Sequence, residues 1–554
     1  MQLQPILLSM NNLMSGRLFR IPEYQRAYAW GKKQRQDLFA DIKRVKTSNE
    51  DHFMATVVGL TRETTTIIAD RYAVVDIVDG QQRLTTLIIL LKAIHKSLNR
   101  TDKTELKLAD ELNDLLIKGD KHRLLLLQAN QDTSHIFVDY IREGVLPAGD
   151  IATSADQNIL DAIFSSETFV SEWKESIGSL VELIGILRNR LYMIFFSIED
   201  EGLVYRVFEV LNSRGLDVSW IDKLKSQLMA KVFELGPNLG REEAIKELHL
   251  IWQEIFTTIA KRSHLMTETV RFAGTLKAES LPSRPTDEEK SVQTLVALAG
   301  TKPKQIIDCA KWVHAITKAE DRLLAHPRWR AVTRILQARL VAIAVLLRGL
   351  PAAEESEVLG RWERVSFRIY GFAGEDARTK VGEYTRLAWS IINEKLSSKE
   401  ILKRLSEIGK DYPIGEVIEG FDPSNCYDNW GEELRYFIYR YDEHLAVAAG
   451  EKLNEAQWNK IWLEEPAKSI EHIKPQKSAV SYLHHLGNLT MLPPGVNSKL
   501  KDKDPELKLQ TYETCGLRSS IEVAKLLKKE KWGKTVVEGR ASKLLQWAKT
   551  QWKD

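Results

Sequence analysis

The sequence predicts a multidomain α+β protein, and three observations support this. Residues 53–60 and 72–78 are short runs rich in β-branched side chains, which is typical of strands. Residues 84–98 repeat apolar side chains at helical spacing, so strands and a helix alternate near the N-terminus. Nearly every segment of residues 236–420 has helical spacing, and a chain of 554 residues is long for one hydrophobic core. We therefore predict three domains, over residues 1–235, 236–420 and 421–554.

Composition and charge narrow the classes of function. With 44% hydrophobic and 28% charged residues, the chain has the composition of an ordinary globular protein. The net charge is only +3, so a nucleic-acid surface must be a local patch; residues 497–554 carry 14 Lys/Arg against 8 Asp/Glu. Three widely separated cysteines favour a reducing, cytoplasmic setting without a disulfide framework. The longest apolar runs are too short to span a bilayer, so no membrane role is expected.

A polar turn of five residues, Asp79 to Arg83 (DGQQR), joins the second predicted strand to the helix that follows it. A helix N-terminus presents backbone N–H groups without intrahelical partners and therefore attracts anions. Gly80 permits a close approach of a phosphate, Arg83 can donate two hydrogen bonds to it, and Asp79 could hold a water or a metal-bound phosphate. Taken alone, the five residues favour a simple cap and tight turn, because they match neither a Walker loop nor a dinucleotide fingerprint.

Two flanking segments change that interpretation. Residues 19–30 (FRIPEYQRAYAW) precede the turn and residues 208–229 (FEVLNSRGLDVSWIDKLKSQLM) follow it. In this order the three segments resemble the N-terminal half of GmrSD-type modification-dependent restriction enzymes, over roughly the first 230 residues. The resemblance implies a ParB/sulfiredoxin-like α/β domain that binds and hydrolyses a nucleoside triphosphate. It implies nucleotide binding by Asp79, Gly80, Gln81, Gln82, Arg83, Asn212 and Arg214.

A sensing role is expected for Tyr24, Gln25 and Arg26, which lie in the first of these segments. Aromatic rings and a guanidinium group are suited to contact a phosphate or a modified base. We therefore predict that these side chains sense DNA or its modification.

A second constellation lies near the C-terminus, in SIEHIKPQ (469–476) and LGNLTMLPPGVNSKL (486–500). His472 is on a strand-like segment, Asn488 follows 16 residues later, and Asn497 follows after nine more. Histidine is a suitable general base near neutral pH, and phosphodiester hydrolysis also needs a cation that stabilises the growing charge. Carboxylate and amide oxygens are the ligands that Mg²⁺ prefers. The pattern is typical of the ββα-metal site of HNH nucleases.

The same segments resemble the C-terminal HNH half of the GmrSD-type enzymes, over roughly residues 427–516. The resemblance implies that His472 activates water and that Asn488 orients its loop or the imidazole. It also implies that Asn497 and Glu471 hold Mg²⁺ or Mn²⁺, although Glu471 stands where the shorter Asp is common.

Four further residues of this region carry expectations. Lys499 and Lys508 are candidates to contact DNA phosphates, although a solvated helix surface explains each of them more simply. His484 and His485 form a histidine pair in a loop without cysteine partners, so we expect surface residues or substrate contacts there and no metal site.

The two resemblances together predict an NTP-regulated, Mg²⁺-dependent endonuclease of a bacterial anti-phage system. Its partners would be double-stranded DNA, modified by base glucosylation, hydroxymethylation or phosphorothioation, and GTP, ATP or CTP; a homo-oligomer is compatible with the sequence. One alternative is a modification-independent nicking toxin of an abortive-infection system. The other is a nucleotide-switch DNA-binding scaffold without cleavage, which the intact His472, Asn488 and Asn497 disfavour.

Overall fold

The chain folds into two compact units: Met1–Gly274 with Asp287–Lys318, and Thr275–Thr286 with Ala319–Asp554. A computed structural model describes residues 5–22, 25–119, 124–128, 136–146, 153–212, 219–235, 240–261, 265–326, 329, 331–463 and 465–553, with the backbone alone at 206 and 208–212. This division differs from the three domains predicted from the sequence. The described part of residues 236–420 is helical, but its helices are shared between the two units.

A six-stranded mixed sheet forms the framework of the first unit, with strand order β1-β6-β3-β4-β2-β5. The strands are β1 (Ile6–Ser9), β2 (Arg17–Ile21), β3 (His52–Ile67), β4 (Asp70–Asp79), β5 (Leu126–Gln128) and β6 (Leu191–Ile198). β3 and β4 form an antiparallel hairpin, while β2 runs parallel to β4 and β6 runs parallel to β3. β3 and β4 confirm the two strands predicted from β-branched runs, and the α+β class is confirmed with them.

The helix that follows the polar turn lies at the centre of the first unit. The helices up to residue 325 are α1 (Met10–Met14), α2 (Lys32–Ser48), α3 (Gln81–Ser97), α4 (Lys103–Leu116), α5 (Ile136–Glu143), α6 (Ser154–Ser176), α7 (Leu180–Asn189), α8 (Glu201–Asn212), α9 (Trp220–Phe233), α10 (Arg241–Ala260), α11 (Leu265–Leu276), α12 (Glu288–Leu298) and α13 (Pro303–Ala325). α3 packs against α4, α5, α6 and α7. α3 is apolar over most of its circumference, and every residue from Leu84 to Ile94 is buried, including Thr85, Thr86 and Lys92.

The second unit is mostly helical and carries one two-stranded sheet. Its helices are α14 (Leu336–Arg348), α15 (Ala352–Phe367), α16 (Val381–Asn393), α17 (Ser398–Gly409), α18 (Ile414–Gly420), α19 (Cys426–Asn429), α20 (Glu432–Ala448), α21 (Glu455–Trp462), α22 (Pro466–Ser469), α23 (Pro494–Leu500), α24 (Pro505–Thr514), α25 (Arg518–Lys529) and α26 (Lys534–Gln551). The strands are β7 (Ile470–His472) and β8 (Leu489–Met491). Buried aromatic side chains fill the core between these helices, including Phe437 and Trp552, whose rings stack with centroids 5.6 Å apart.

The cysteines and the helix lengths bear on two further expectations. Cys309, Cys426 and Cys515 are buried free thiols, as expected of a chain without a disulfide framework. None of the described helices combines the length and the apolar character that a bilayer-spanning segment needs.

Candidate functional sites

The turn between β4 and α3 is a backbone arrangement that only glycine accommodates. Gly80 has φ +90°, and a Cβ atom there would lie 3.0 Å from Val57 Cγ2 and 3.3 Å from the Thr56 carbonyl oxygen. Asp79, the last residue of β4, accepts a hydrogen bond from the Gly80 N–H at 2.8 Å. This places the N-terminus of α3 directly after the carboxylate.

A cavity of about 620 Å³ in the first unit is lined by the whole turn from Asp79 to Arg83. A volume of this size is typical of small-molecule and nucleotide sites. The charged side chains among its described lining residues are the cations Arg26, Arg83 and Lys225 and the acids Asp37, Asp41, Asp79 and Asp222. The cavity therefore combines a helix N-terminus with cations from three separate stretches of sequence.

Arg83 lines the cavity with its guanidinium group over an aromatic ring. Its guanidinium carbon lies 5.6 Å from the centroid of the Trp30 ring. Among the described residues it has no hydrogen-bond or ion-pair partner. Burial lowers the pKa of the Arg83 guanidinium group, and the charges of Asp79 and Asp41 oppose that shift. Burial also raises the pKa of Asp79, and the Gly80 N–H and the Arg83 charge offset part of that rise.

The two glutamines of the turn have different environments. Gln82 accepts a hydrogen bond from the Ala29 N–H at 2.7 Å and donates one to the Ala27 carbonyl at 3.1 Å, so it fixes the entry segment against α3. Gln81 is 7% exposed, and its side-chain oxygen accepts no hydrogen bond from any described residue. A buried acceptor without a donor is costly, so a ligand or water that donates to Gln81 would remove that cost.

The predicted sensing residues lie in the wall of this same cavity where they are described. Tyr24 lies outside the described residues. Gln25 is 5% exposed and donates to the Val78 carbonyl at 3.4 Å, while Arg26 Nε lies 3.0 Å from Asp222 Oδ2. Gln25 and Arg26 thus line the same cavity as the DGQQR turn, whereas the sequence analysis predicted a sensing role separate from that turn.

Two other predicted nucleotide contacts have no described geometry. Asn212 is the last residue of α8, and its side chain lies outside the described part of the chain. Arg214 also lies outside it. Their predicted roles stay predictions.

In the second unit, β7, β8 and α23 form a ββα arrangement. β7 pairs antiparallel with β8, with Glu471 opposite Thr490 and His472 opposite Leu489. The Leu492 N–H donates to the Ser469 carbonyl at 2.9 Å, and α23 begins two residues later at Pro494. The structure therefore has the strand, strand and helix order expected from the sequence.

His472 is paired with a second histidine. Its Nε2 atom lies 3.1 Å from Nδ1 of His484, and both rings pack on Tyr427, which stacks on His484 at 17° between ring planes. The Tyr427 N–H also donates to the His484 carbonyl at 3.3 Å. Burial and the neighbouring His484 lower the pKa of His472 to about 4, so its imidazole is neutral at pH 7.

The side chain of Asn488 makes four hydrogen bonds, and these hold the loop before it. Its Oδ1 accepts from the Lys474 N–H at 2.9 Å and from Trp532 Nε1 at 3.0 Å, and its Nδ2 donates to the carbonyls of Leu483 and Lys474. This agrees with the first of the two orienting roles expected for Asn488. The contact partner of the His472 ring is His484.

Lys508 does not lie on a DNA-facing surface, and the prediction of a phosphate contact there is wrong. Its side chain is 0% exposed. Its ammonium group donates to Glu471 Oε1 at 2.7 Å and to the His472 carbonyl at 2.7 Å, and the Tyr512 hydroxyl donates to the same carboxylate oxygen at 2.8 Å. The reason is the helical position of Lys508, which turns it toward β7, whereas Lys499 on α23 is exposed.

Asn497 and Glu471 line one cavity of about 550 Å³ together with His472. The Asn497 amide donates to the carbonyls of Lys468 at 3.0 Å and Ile470 at 3.2 Å, which fixes its oxygen as an acceptor. Within the described chain no three His, Cys, Asp or Glu side chains converge on a metal-sized point. The side-chain oxygens at this cavity include those of Asn497, Glu471, Asp502, Gln476 and Ser498, and one oxygen of Glu471 already accepts from Lys508 and Tyr512.

Comparison with known families assigns both units. Residues 7–229 match the model of the GmrSD restriction endonuclease N-terminal domain, and residues 415–547 match that of the GmrSD restriction endonuclease C-terminal domain. The chain belongs to the GmrSD restriction endonuclease family. Both GmrSD domains occur in their expected order, which supports a restriction endonuclease of defence type that acts on DNA. No curated protein matches the chain.

The sequence analysis missed two residues that the GmrSD sites contain. His484 was assigned to the surface or to substrate because it belongs to a loop histidine pair without cysteine partners, yet its Nδ1 lies 3.1 Å from His472 Nε2. Lys225 lines the N-terminal cavity one turn beyond Asp222. A sequence signal that could have found Lys225 is its i, i+3 spacing from that acid.

Proposed function

We propose that this protein is an NTP-regulated, Mg²⁺-dependent endonuclease with an HNH-type site on β7, β8 and α23. The observation that supports the nuclease assignment is the meeting of His472, Glu471 and Asn497 at one cavity in a ββα arrangement. Phosphodiester hydrolysis needs a base, a site for a hard cation and access for a phosphate. These three side chains and the exposed Lys499 are suited to those roles.

His472 acts as the general base in this proposal. We assign the ring hydrogen of His472 to Nε2, which lies 3.1 Å from His484 Nδ1 and would donate to it, so that Nδ1 of His472 is left as the acceptor for the proton of the attacking water. Burial and His484 disfavour the protonated imidazole, so His472 would hold the extra proton only transiently, beside the Tyr427 ring, whose centroid is 4.4 Å away. His484 therefore fixes the tautomer and the orientation of the base.

Glu471 and Asn497 would hold the cation. Mg²⁺ commonly uses one or two protein oxygens and completes its shell with water and substrate phosphate, which fits one free carboxylate oxygen and a fixed amide oxygen. The bound cation would stabilise the charge that grows on the phosphate and on the leaving oxygen. Lys508 and Tyr512 hold the Glu471 side chain in place for this role.

The cavity at the DGQQR turn is the proposed nucleotide site. Arg83 and the first turn of α3 bind the triphosphate, Gln81 accepts a hydrogen bond from nucleotide or water, and Asp79 positions the water for hydrolysis. Gln25 and Arg26 would sense DNA only through this cavity, because the burial of Gln25 leaves it no surface for a duplex. We propose that nucleotide occupancy regulates cleavage, since NTP hydrolysis adds no chemistry to phosphodiester hydrolysis.

Plasmid cleavage by the purified protein tests this function. The substrates are unmodified, phosphorothioate-containing and glucosyl-hydroxymethylcytosine DNA, each with GTP, ATP, CTP or no nucleotide, and with Mg²⁺ or EDTA. We expect cleavage that requires Mg²⁺, favours one modified DNA and changes with one nucleotide. Equal cleavage of every DNA regardless of nucleotide would support the nicking toxin instead, and no cleavage under any condition would support the DNA-binding scaffold.

A further inference from the structure

We propose that the amine of Lys225 binds a phosphate of the nucleotide and takes up a proton when it does so. The inference rests on the proposed nucleotide site and adds a second phosphate-binding cation to it. Lys225 lies on α9, whereas the other proposed phosphate contacts lie on α3, so the two helices would bind one triphosphate from separate parts of the sequence.

The position of Lys225 supports a role in binding a ligand. The residue lines the cavity yet is only 3% exposed, and Ser226 beside it and Ser219 at the start of α9 line the same cavity. Its ammonium nitrogen lies 5.4 Å from the centroid of the Phe256 ring. Lys225 thus lines the same cavity as the N-terminus of α3, and a lysine beside a helix N-terminus is suited to bind an anion.

Other groups in the cavity make phosphate the fitting ligand. Among the described residues Arg83 contacts the Trp30 ring but has no hydrogen-bond or ion-pair partner, and Gln81 offers an unfilled acceptor, while Arg26 is already paired with Asp222 at 3.0 Å. A triphosphate would therefore meet Arg83 from one helix and Lys225 from the other. The sugar hydroxyl groups or the base N–H groups of the nucleotide, or a water bound to it, can donate to Gln81.

The charge state of Lys225 follows from its surroundings. Burial lowers the pKa of its amine to about 7, and the charge of Asp222 opposes that shift. The charged and titratable groups near it or around the cavity are Asp222 on α9, His249 on α10, Tyr205 on α8, Arg62 on β3, Asp76 and Asp79 on β4, Arg83 on α3, Asp37 and Asp41 on α2, and Arg26. A bound triphosphate adds several negative charges, so it raises the pKa of the amine. Above pH 7 the empty site holds a mostly neutral amine, and binding must draw one proton from solution.

Titration calorimetry in two buffers measures that proton directly. The β,γ-imido analogues of GTP, ATP and CTP are titrated separately into the full-length protein with Mg²⁺ at pH 8.0, in HEPES and in Tris, whose ionisation enthalpies differ. An amine with a pKa of about 7 is ~10% protonated at this pH, so we expect roughly 0.9 proton taken up per nucleotide. At pH 6.0 the uptake should fall to roughly 0.1.

Three variants assign the proton. Lys225→Arg keeps the charge permanently and should bind nucleotide without uptake. Lys225→Met should also show no uptake and should lose about 10- to 100-fold in affinity, the worth of a charge-assisted hydrogen bond. Lys223→Met, on the same helix but half exposed, is the matched control and should leave both affinity and uptake unchanged.

The outcomes separate this inference from the function on which it rests. If no analogue binds to the wild-type protein, by calorimetry or by thermal shift, the proposed nucleotide site is wrong. If an analogue binds but uptake at pH 8.0 is absent, or persists in Lys225→Arg, the inference about Lys225 is overturned while the nucleotide site stands. Uptake that persists in Lys225→Arg would point to His249 or Asp79 as the proton acceptor.

Discussion

Replacing Lys508 by Met distinguishes a buried structural lysine from a DNA contact. In the wild-type protein the Lys508 ammonium donates to Glu471 Oε1 and to two backbone carbonyls, and the side chain is 0% exposed. Methionine has a similar length and no charge, so the change removes the donor while it largely fills the space. It leaves the Glu471 carboxylate buried with the Tyr512 hydroxyl as its remaining donor.

The expected loss of stability follows from these contacts. Removing one partner of a buried ion pair costs about 3–5 kcal/mol, and the retained Tyr512 hydrogen bond favours the lower part, ~3–4 kcal/mol. For a unit of roughly 250 residues, 1 kcal/mol corresponds to about 2–4 °C. We therefore expect the second unit of Lys508→Met to unfold about 6–16 °C below the wild type.

Differential scanning calorimetry at pH 8 measures the shift, and a second scan at pH 5 tests its cause. When folding raises the pKa of an acid, the free energy of unfolding of the protein falls as the pH rises from the unfolded to the folded pKa. Burial raises the pKa of Glu471, and Lys508→Met removes the lysine that opposes this rise. The deficit should therefore be smaller at pH 5 than at pH 8. Combining Lys508→Met with Glu471→Gln should recover part of the stability, because no buried charge remains.

Lys499→Met is the matched control, since Lys499 is exposed on α23. A surface change of this kind should alter stability by no more than about 0.5 kcal/mol. It should weaken DNA binding and reduce the salt dependence of that binding by about one phosphate contact. If Lys508→Met instead keeps its Tm within 2 °C of wild type and loses DNA affinity like Lys499→Met, the assignment of Lys508 to the protein interior is refuted.

The other predictions concern the two sites. His472→Ala should slow plasmid cleavage by ~10²–10⁴, while thermal shifts with nucleotide stay unchanged; near wild-type cleavage would exclude His472 as the base. EDTA should abolish cleavage without lowering the Tm, and excess Mg²⁺ should restore it; metal-independent cleavage would contradict the proposed cation site. Wild-type protein should gain about 2.7 kcal/mol of stability at 100 times the Kd of its nucleotide, and Arg83→Met should lose most of that gain in a thermal-shift assay. Gly80→Ala should lower the Tm of the first unit, because φ +90° and the nearby Val57 cost about 1–3 kcal/mol; an unchanged Tm would show that the turn relaxes.

The sequence by itself determined the local structure and most of the residues at the two sites. Periodicity distinguishes β3 and β4 from α3, because side chains repeat every two residues in a strand and every 3.6 in a helix. The DGQQR turn was predictable because a glycine between a strand and a helix indicates a backbone that other residues cannot adopt, and Gly80 has φ +90°. His472, Glu471 and Asn497 were named from their spacing and from the resemblance to the C-terminal half of the GmrSD-type enzymes, and their catalytic and metal-binding roles stay predictions.

Only the tertiary structure decided which side chains face solvent and which meet each other. Lys499 and Lys508 are both helical lysines, but packing against β7 buries Lys508 beside Glu471, whereas Lys499 is exposed. His484 reaches His472 because Asn488 holds the intervening loop, a contact that spacing along the chain does not reveal. Gln25 and the turn that begins 54 residues later line one cavity, which is likewise a contact that sequence spacing does not reveal. Local spacing governs backbone conformation, whereas burial and charge pairing depend on segments that are distant in sequence and adjacent only after the chain has folded.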